Sequence, residues 1–168
     1  MARLYLQEKV IIKERVSKVL SKRKIYKSTI YLLTHTGRSR TRGRAVFMIY
    51  DCLIIDDEKS LLDATSEYLN LFGISTVTAE SREQCFEVLS KDRVKLILLD
   101  INLGDESGFE LCKKIRQMTD VPIIFISARS STDDMILALH IGGDDYIQKP
   151  YALSYLLAKI QVFLKRYY

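Results

Sequence analysis

From Cys52 onward, short apolar runs alternate with stretches of helical periodicity, and this alternation constrains the fold more than any other feature of the chain. Strand and helix in strict succession is the pattern of a parallel sheet, because two parallel neighbours need a crossover long enough to hold a helix. CLII (52–55) reads as the first strand. Ser60 is placed to cap a helix whose apolar residues Leu61, Leu62, Ala64, Tyr68, Leu69 and Phe72 recur at helical steps before Gly73 ends it. The second strand is ISTVTA (74–79), and Ser81 with Gln84 forms a capping box for a helix through Ser90. LILLD (96–100) is the continuous apolar run expected of a strand covered on both faces.

The loop INLGDESG leads to a helix from about Phe109 to Met118, with Leu111, Cys112 and Ile115 inward, and then to the strand PIIFIS (122–127). Asp133 or Asp134 begins the next helix. Met135, Ile136, Leu139 and His140 are assigned to its apolar side, and Gly142 and Gly143 end it. DYIQ (145–148) is the last strand, and a final helix runs from Ala152 to about Arg166. The expected fold is α/β, a doubly wound five-stranded parallel sheet built as (βα)5.

Charge divides the chain in two. Residues 1–47 hold 13 Lys and Arg against Glu8 and Glu14, a net +11, whereas residues 48–168 hold 13 basic against 19 acidic residues, a net −6. The basic segment has one weak helical stripe, Ile12, Val16, Val19 and Leu20, and then SKRKIYKS and GRSRTRGR without period. Three readings fit it: sequence upstream of a start at Met48, an arm for nucleic acid or anionic lipid, or an ordered helical extension. The domain division expected is therefore 1–47 and 48–168. No apolar run reaches the roughly 18 residues of a membrane span, and a cytoplasmic chain is expected. Three cysteines at wide spacing, without a CxxC pair, argue against a disulfide framework and structural zinc.

In an open parallel sheet, ligands bind at the carboxyl ends of the strands. Asp56 and Asp57 end the first strand, Asp100 the third and Ser127 the fourth, while Lys149 follows the fifth. Three converging carboxylates repel one another, and a hard divalent cation with oxygen ligands relieves that repulsion, so Mg2+ is the expected cofactor. One carboxylate can act as a nucleophile toward phosphorus, with Mg2+, the Lys149 ammonium and the Ser127 hydroxyl available to the phosphoryl oxygens. Each residue taken singly also has a plainer reading: helix-capping aspartates, a loop hydroxyl, a surface lysine.

The set LIIDDE, LILLDINL, Ser127 with Ala128, and GGDDYIQKP, in that order, resembles the receiver domain of two-component response regulators, a flavodoxin-like fold, from about Asp51 to Arg166. The resemblance implies that Asp100 accepts a phosphoryl group from a phosphohistidine on a sensor histidine kinase. It implies Asp57 as a direct Mg2+ ligand, Asp56 through water, and the Asn102 carbonyl as the third protein ligand. It also implies that Ser127 and Tyr146 move together on phosphorylation, that the face of helix 4, strand 5 and helix 5 changes with them, and that the bond before Pro150 is cis. Such a domain is a regulatory phosphoacceptor rather than an enzyme.

The tail KPYALSYLLAKIQVFLKR resembles the OmpR/PhoB group of transcription regulators. That group carries a charged pair across its active dimer where this chain has Met135 and Tyr155, so either an apolar homodimer contact or no dimer is expected. Gly104 stands where the family often has proline. The winged helix of that group is not contained in the chain as given, leaving two expectations: the input part of a transcription regulator, or a receiver acting by phosphotransfer or docking, with phosphorylation-independent binding as a further possibility. Two other classes fit poorly. A hydrolase with an aspartate nucleophile needs a second aspartate at the position of Asn102, and a flavin site needs a hydroxyl-rich phosphate loop where this chain has DDE.

Overall fold

The structure, a computed structural model, describes residues 47–104 and 106–168. The three readings of the basic segment fall on residues that lie outside these. Five parallel strands, β1 (Cys52–Ile55), β2 (Thr76–Ala79), β3 (Ile97–Asp100), β4 (Ile123–Ser127) and β5 (Asp145–Gln148), form one sheet in the order β2-β1-β3-β4-β5. Helices α1 (Lys59–Leu71), α2 (Arg82–Lys91), α3 (Gly108–Arg116), α4 (Thr132–His140) and α5 (Leu153–Tyr167) make the crossovers. This is the doubly wound sheet expected from the alternation, with element ends shifted by a residue or two.

The continuous apolar runs are explained by burial on both faces. On one side of the sheet, Leu53 and Ile55 of β1 pack with Ile97, Leu99 and Phe125 against α2, α3 and Ala138 of α4. On the other side, Cys52 and Ile54 pack with Leu98, Ile124 and Ile126 against α1 and α5. Successive strand residues point to opposite sides, so a central strand is apolar at every position before its end, where β3 and β4 carry the polar residues Asp100 and Ser127. Fully burying each Leu, Ile or Phe contributes roughly 1.5–3 kcal/mol.

Three local expectations are corrected. Ser60 does not cap α1: it lies inside the first turn, its hydroxyl donating to Glu58 Oε1 at 3.2 Å, and Glu58 holds the N-cap without a side-chain bond. The first turn is instead joined to Asp56, whose Oδ1 accepts the Glu58 N–H at 2.9 Å. Helix α4 starts at Thr132, capped by Ser131, whose Oγ accepts the Asp134 N–H at 3.0 Å. Ile136, Leu137 and Leu139 are about half exposed and His140 is exposed, whereas Ala138 alone of this helix is buried. A small residue faces the sheet because the packing there is close: a Cβ on Gly143 would stand 2.7 Å from the Phe125 ring and 2.8 Å from the Ala138 carbonyl oxygen.

The capping box at Ser81 is present in a shifted form. Ser81 Oγ accepts the Gln84 N–H at 3.4 Å, and the Gln84 side chain reaches back to the N–H of Glu80 at 2.8 Å. Two short ladders add to the expected elements: Ile49–Tyr50 pairs parallel with Arg93–Val94, and Asn102–Leu103 pairs antiparallel with Glu106–Ser107. The second of these folds back the loop that follows Asp100. Among the described residues, no helix is long and apolar enough to cross a membrane.

Candidate functional site

Parallel strands end on one side of the sheet, so β1, β3, β4 and β5 deliver their C-terminal polar residues to one place. Asp100 is the last residue of β3 and Asp56 follows β1, both buried, and Asp57 beside them is exposed. One carboxylate oxygen from each of Asp56, Asp57 and Asp100 lies within 4.8 Å of the others. Lys149 projects between two of them, its Nζ donating to Asp56 Oδ2 at 2.8 Å and to Asp100 Oδ2 at 2.5 Å. The Lys149–Pro150 peptide is cis, and the Lys149 N–H donates to the Ser127 carbonyl at 2.7 Å.

The loops complete the wall. Asp100 Oδ1 accepts the Asn102 N–H at 3.0 Å, and Asp57 Oδ2 accepts the Gly104 N–H at 2.8 Å. Gly104 has φ +56, a left-handed conformation that glycine adopts without strain, and this conformation accompanies the approach of its N–H to Asp57. Ser127 is fully buried at the end of β4, its Oγ accepting the Arg129 N–H at 3.2 Å. Tyr146 is half-buried on β5, and its hydroxyl donates to the Arg129 carbonyl at 2.6 Å.

Electrostatics follow from burial and pairing. Burial pushes the Asp100 carboxyl above the ordinary range, and the opposing hydrogen bonds from Lys149 and Asn102 do not offset it. At Lys149, burial works against the ammonium, yet its bonds to Asp100 and Asp56 carry its pKa above the ordinary lysine value. Tyr146 is raised as well, chiefly by burial.

The geometry therefore brings together Asp56, Asp57, Asp100 and Lys149, with Asn102 exposed beside Asp100 and Ser127 buried at the end of the neighbouring strand β4. Tyr146 connects to them through the backbone of Arg129. Two residues of the site escape the sequence reading. Gly108 packs directly on the Asp100 backbone, where a Cβ would stand 2.0 Å from the Asp100 carbonyl oxygen, and Arg129 reaches across to Asn102 Oδ1 at 3.3 Å. The position of Arg129, two residues past Ser127, is the available signal; for Gly108 there is none beyond the glycine itself.

A family model described as the response regulator receiver domain matches residues 52–161. The chain belongs to this family. Its curated relatives include the transcriptional regulatory protein YxdJ of Bacillus subtilis, 39% identical over 116 residues, covering 69% of this chain and 51% of that protein. The nisin biosynthesis regulatory protein NisR of Lactococcus lactis is 38% identical over 119 residues, covering 71% and 52%. Among solved structures, a two-component response regulator from Clostridium difficile is 36% identical with a TM-score of 0.67, covering 70% of this chain and 97% of that one. A CheY-like receiver domain from Methanospirillum hungatei is 28% identical with a TM-score of 0.65, covering 72% and 96%. The chain spans about half the length of the curated relatives it matches. Its receiver domain is a regulatory module of the response-regulator kind, similar in sequence to regulators of transcription.

Proposed function

We propose that this receiver domain is the phosphoacceptor of a two-component phosphorelay and that Asp100 takes the phosphoryl group from a phosphohistidine of a sensor histidine kinase. The observation that carries this reading is the buried Asp100 carboxylate at the end of β3, held by Lys149 and faced by Asp56 and Asp57. A carboxylate oxygen of Asp100 attacks phosphorus, the P–N bond to the imidazole breaks, and its electron pair stays on the ring nitrogen. Lys149 holds Asp100 in place and offers an ammonium to the phosphoryl oxygens, and the buried Ser127 hydroxyl adds a donor.

The donor set fits Mg2+: three carboxylate oxygens close together, hard and anionic, with one lysine between them. Asp57 would bind the ion directly, Asp56 through water, and Asp100 with the Asn102 carbonyl would complete the protein ligands. When bound, it supplies positive charge that offsets the carboxylates and the transferred group. The chain's own part is to keep the carboxylates aimed, which the Gly104 and Asn102 N–H groups and Lys149 do.

On phosphorylation, Ser127 turns to the phosphoryl oxygens, releasing the Arg129 N–H, and Tyr146 leaves the Arg129 carbonyl. The readout is the α4, β5, α5 face, where Ile136, Leu137, Leu139, Tyr155 and Val162 are exposed. This apolar face, with Met135 and Tyr155 in place of a charged pair, suits a symmetric homodimer. The whole protein would then work as the input side of a transcription regulator in the cytoplasm.

The test is intact mass after incubation with acetyl phosphate. A gain of one phosphoryl group that needs Mg2+, is blocked by EDTA and is absent in Asp100→Ala is expected. Absence of any gain in the wild-type domain refutes the reading and leaves a receiver fold used only for binding.

A further inference from the structure

The three carboxylates of the site are tied in the same way. Each accepts a backbone N–H on one oxygen: Asp56 Oδ1 from Glu58 at 2.9 Å, Asp57 Oδ2 from Gly104 at 2.8 Å and Asp100 Oδ1 from Asn102 at 3.0 Å. Lys149 Nζ donates to the second oxygens of Asp56 and Asp100. Of the six carboxylate oxygens, Asp57 Oδ1 alone accepts no hydrogen bond from the described residues. Asp57 is also the exposed member of the three.

The three N–H donors are not alike. Those of Glu58 and Asn102 stand two residues along the chain from their own carboxylates. That of Gly104 comes from 47 residues away, next to the ladder that pairs Asn102–Leu103 with Glu106–Ser107. The ladder and the left-handed φ of +56 aim this N–H from outside the segment that carries Asp57. Cations of different size place different demands on such a carboxylate. Mg2+ requires a near-ideal octahedron and keeps several waters, whereas the larger Ca2+ takes six to eight oxygens and readily uses both oxygens of one carboxylate. Turning both oxygens of Asp57 to one cation costs the charge-assisted bond from Gly104.

Resting on the reading of this cluster as a Mg2+ site, we propose that the Gly104 N–H selects cation size: by occupying Asp57 Oδ2 it holds Asp57 to binding through one oxygen and so favours Mg2+ over Ca2+. Gly104 is a positioning residue that acts through Asp57.

The test is cation binding to the full chain, measured by isothermal titration calorimetry with MgCl2 and with CaCl2 and without any phosphodonor. The wild-type chain is expected to bind Mg2+ more tightly than Ca2+. Gly104→Pro has no N–H and cannot hold a positive φ, and is expected to cut the Mg2+ to Ca2+ affinity ratio about tenfold. Gly104→Ala keeps the N–H, and its Cβ meets only Asp57 Oδ2, at an ordinary 3.7 Å, so it is expected to retain most of the ratio despite left-handed strain. A wild-type preference for Ca2+, a ratio unchanged in Gly104→Pro, or a ratio lost equally in both variants overturns the proposal. Glycine-selective 15N labelling gives a second reading that does not require the proline variant to fold. The Gly104 amide, identified as the resonance missing in Gly104→Ala, is expected to keep its slow solvent exchange when Mg2+ is added, and release of that amide by Mg2+ overturns the proposal. Failure of the underlying reading looks different: neither cation binds the wild-type chain, or Asp57→Ala binds Mg2+ as tightly as the wild type.

Discussion

Replacing Gly108 by alanine tests whether the acceptor site depends on a backbone contact that no side chain advertises. Gly108 is the first residue of α3, and its N–H donates to the Ile101 carbonyl at 2.7 Å. An added Cβ would stand 2.0 Å from the Asp100 carbonyl oxygen and 2.8 Å from Ile101 Cα, both backbone atoms of the segment carrying the acceptor. Ordinary contact needs more than about 3 Å, so either α3 or the Asp100 backbone has to move by about 1 Å, and no side chain can turn aside to absorb it. Overpacking costs about 1–3 kcal/mol, and a clash confined to backbone belongs at the upper end. For a domain of this size, about 3 kcal/mol is a fall of roughly 10 °C in melting temperature. The assay is thermal unfolding followed by circular dichroism, paired with the phosphorylation rate at a temperature where the variant is folded. Gly73→Ala is the control. Gly73 has φ +83 and open space around its Cβ position, so alanine there costs only left-handed strain, about 1 kcal/mol, and leaves phosphorylation unchanged. A Gly108→Ala variant that melts with the wild type and is phosphorylated at the same rate would refute the reasoning.

Two further outcomes are expected. The Asp100 carboxyl is raised above its ordinary pKa in the folded state, so its effect on stability is most favourable below the unfolded carboxyl pKa and is lost as pH rises through the folded value. Asp100→Asn therefore melts higher than the wild type at about pH 7 without divalent ions, and the gap closes as pH is lowered through the carboxylate range; a gap that widens toward acid contradicts burial as the dominant cause. Arg116 donates to the Gly142 carbonyl at 2.8 Å, to the Val121 carbonyl at 2.6 Å and to Asp144 Oδ2 at 2.8 Å, joining α3 to the turns before β4 and β5. Arg116→Ala removes these bonds, leaving Asp144 Oδ2 with only the Ile123 N–H, and costs about 2–3 kcal/mol, measured as a lower urea midpoint with unchanged slope.

Helix α4 shows where periodicity stops being informative. Ile136 and Leu139 recur at helical spacing, yet the side of α4 facing the sheet is set by how closely Ala138 and Gly143 let the chain approach Phe125. That approach is a distance between elements, and spacing within one element does not encode it. At α1 the plainer reading of the aspartates as helix caps and their place in the site hold together: Asp56 takes the N–H of the N-cap residue Glu58, where Ser60 is the expected cap. Asp56, Asp57, Asp100, Ser127 and Lys149 are legible because strand ends in a parallel sheet share one side.

Side-chain alternation and local breakers, each confined to a short stretch of chain, suffice to set the succession of strands and helices, the burial of the central strands on both faces and the polar residues at the strand ends. Tertiary structure decides the strand order, the bridging of Asp56 and Asp100 by Lys149 across 93 and 49 residues, the contact of Gly108 with the acceptor backbone, and the reach of Arg129 to Asn102. These depend on strand pairing and on how close two backbones come, both fixed by the packing of the whole sheet between its helices.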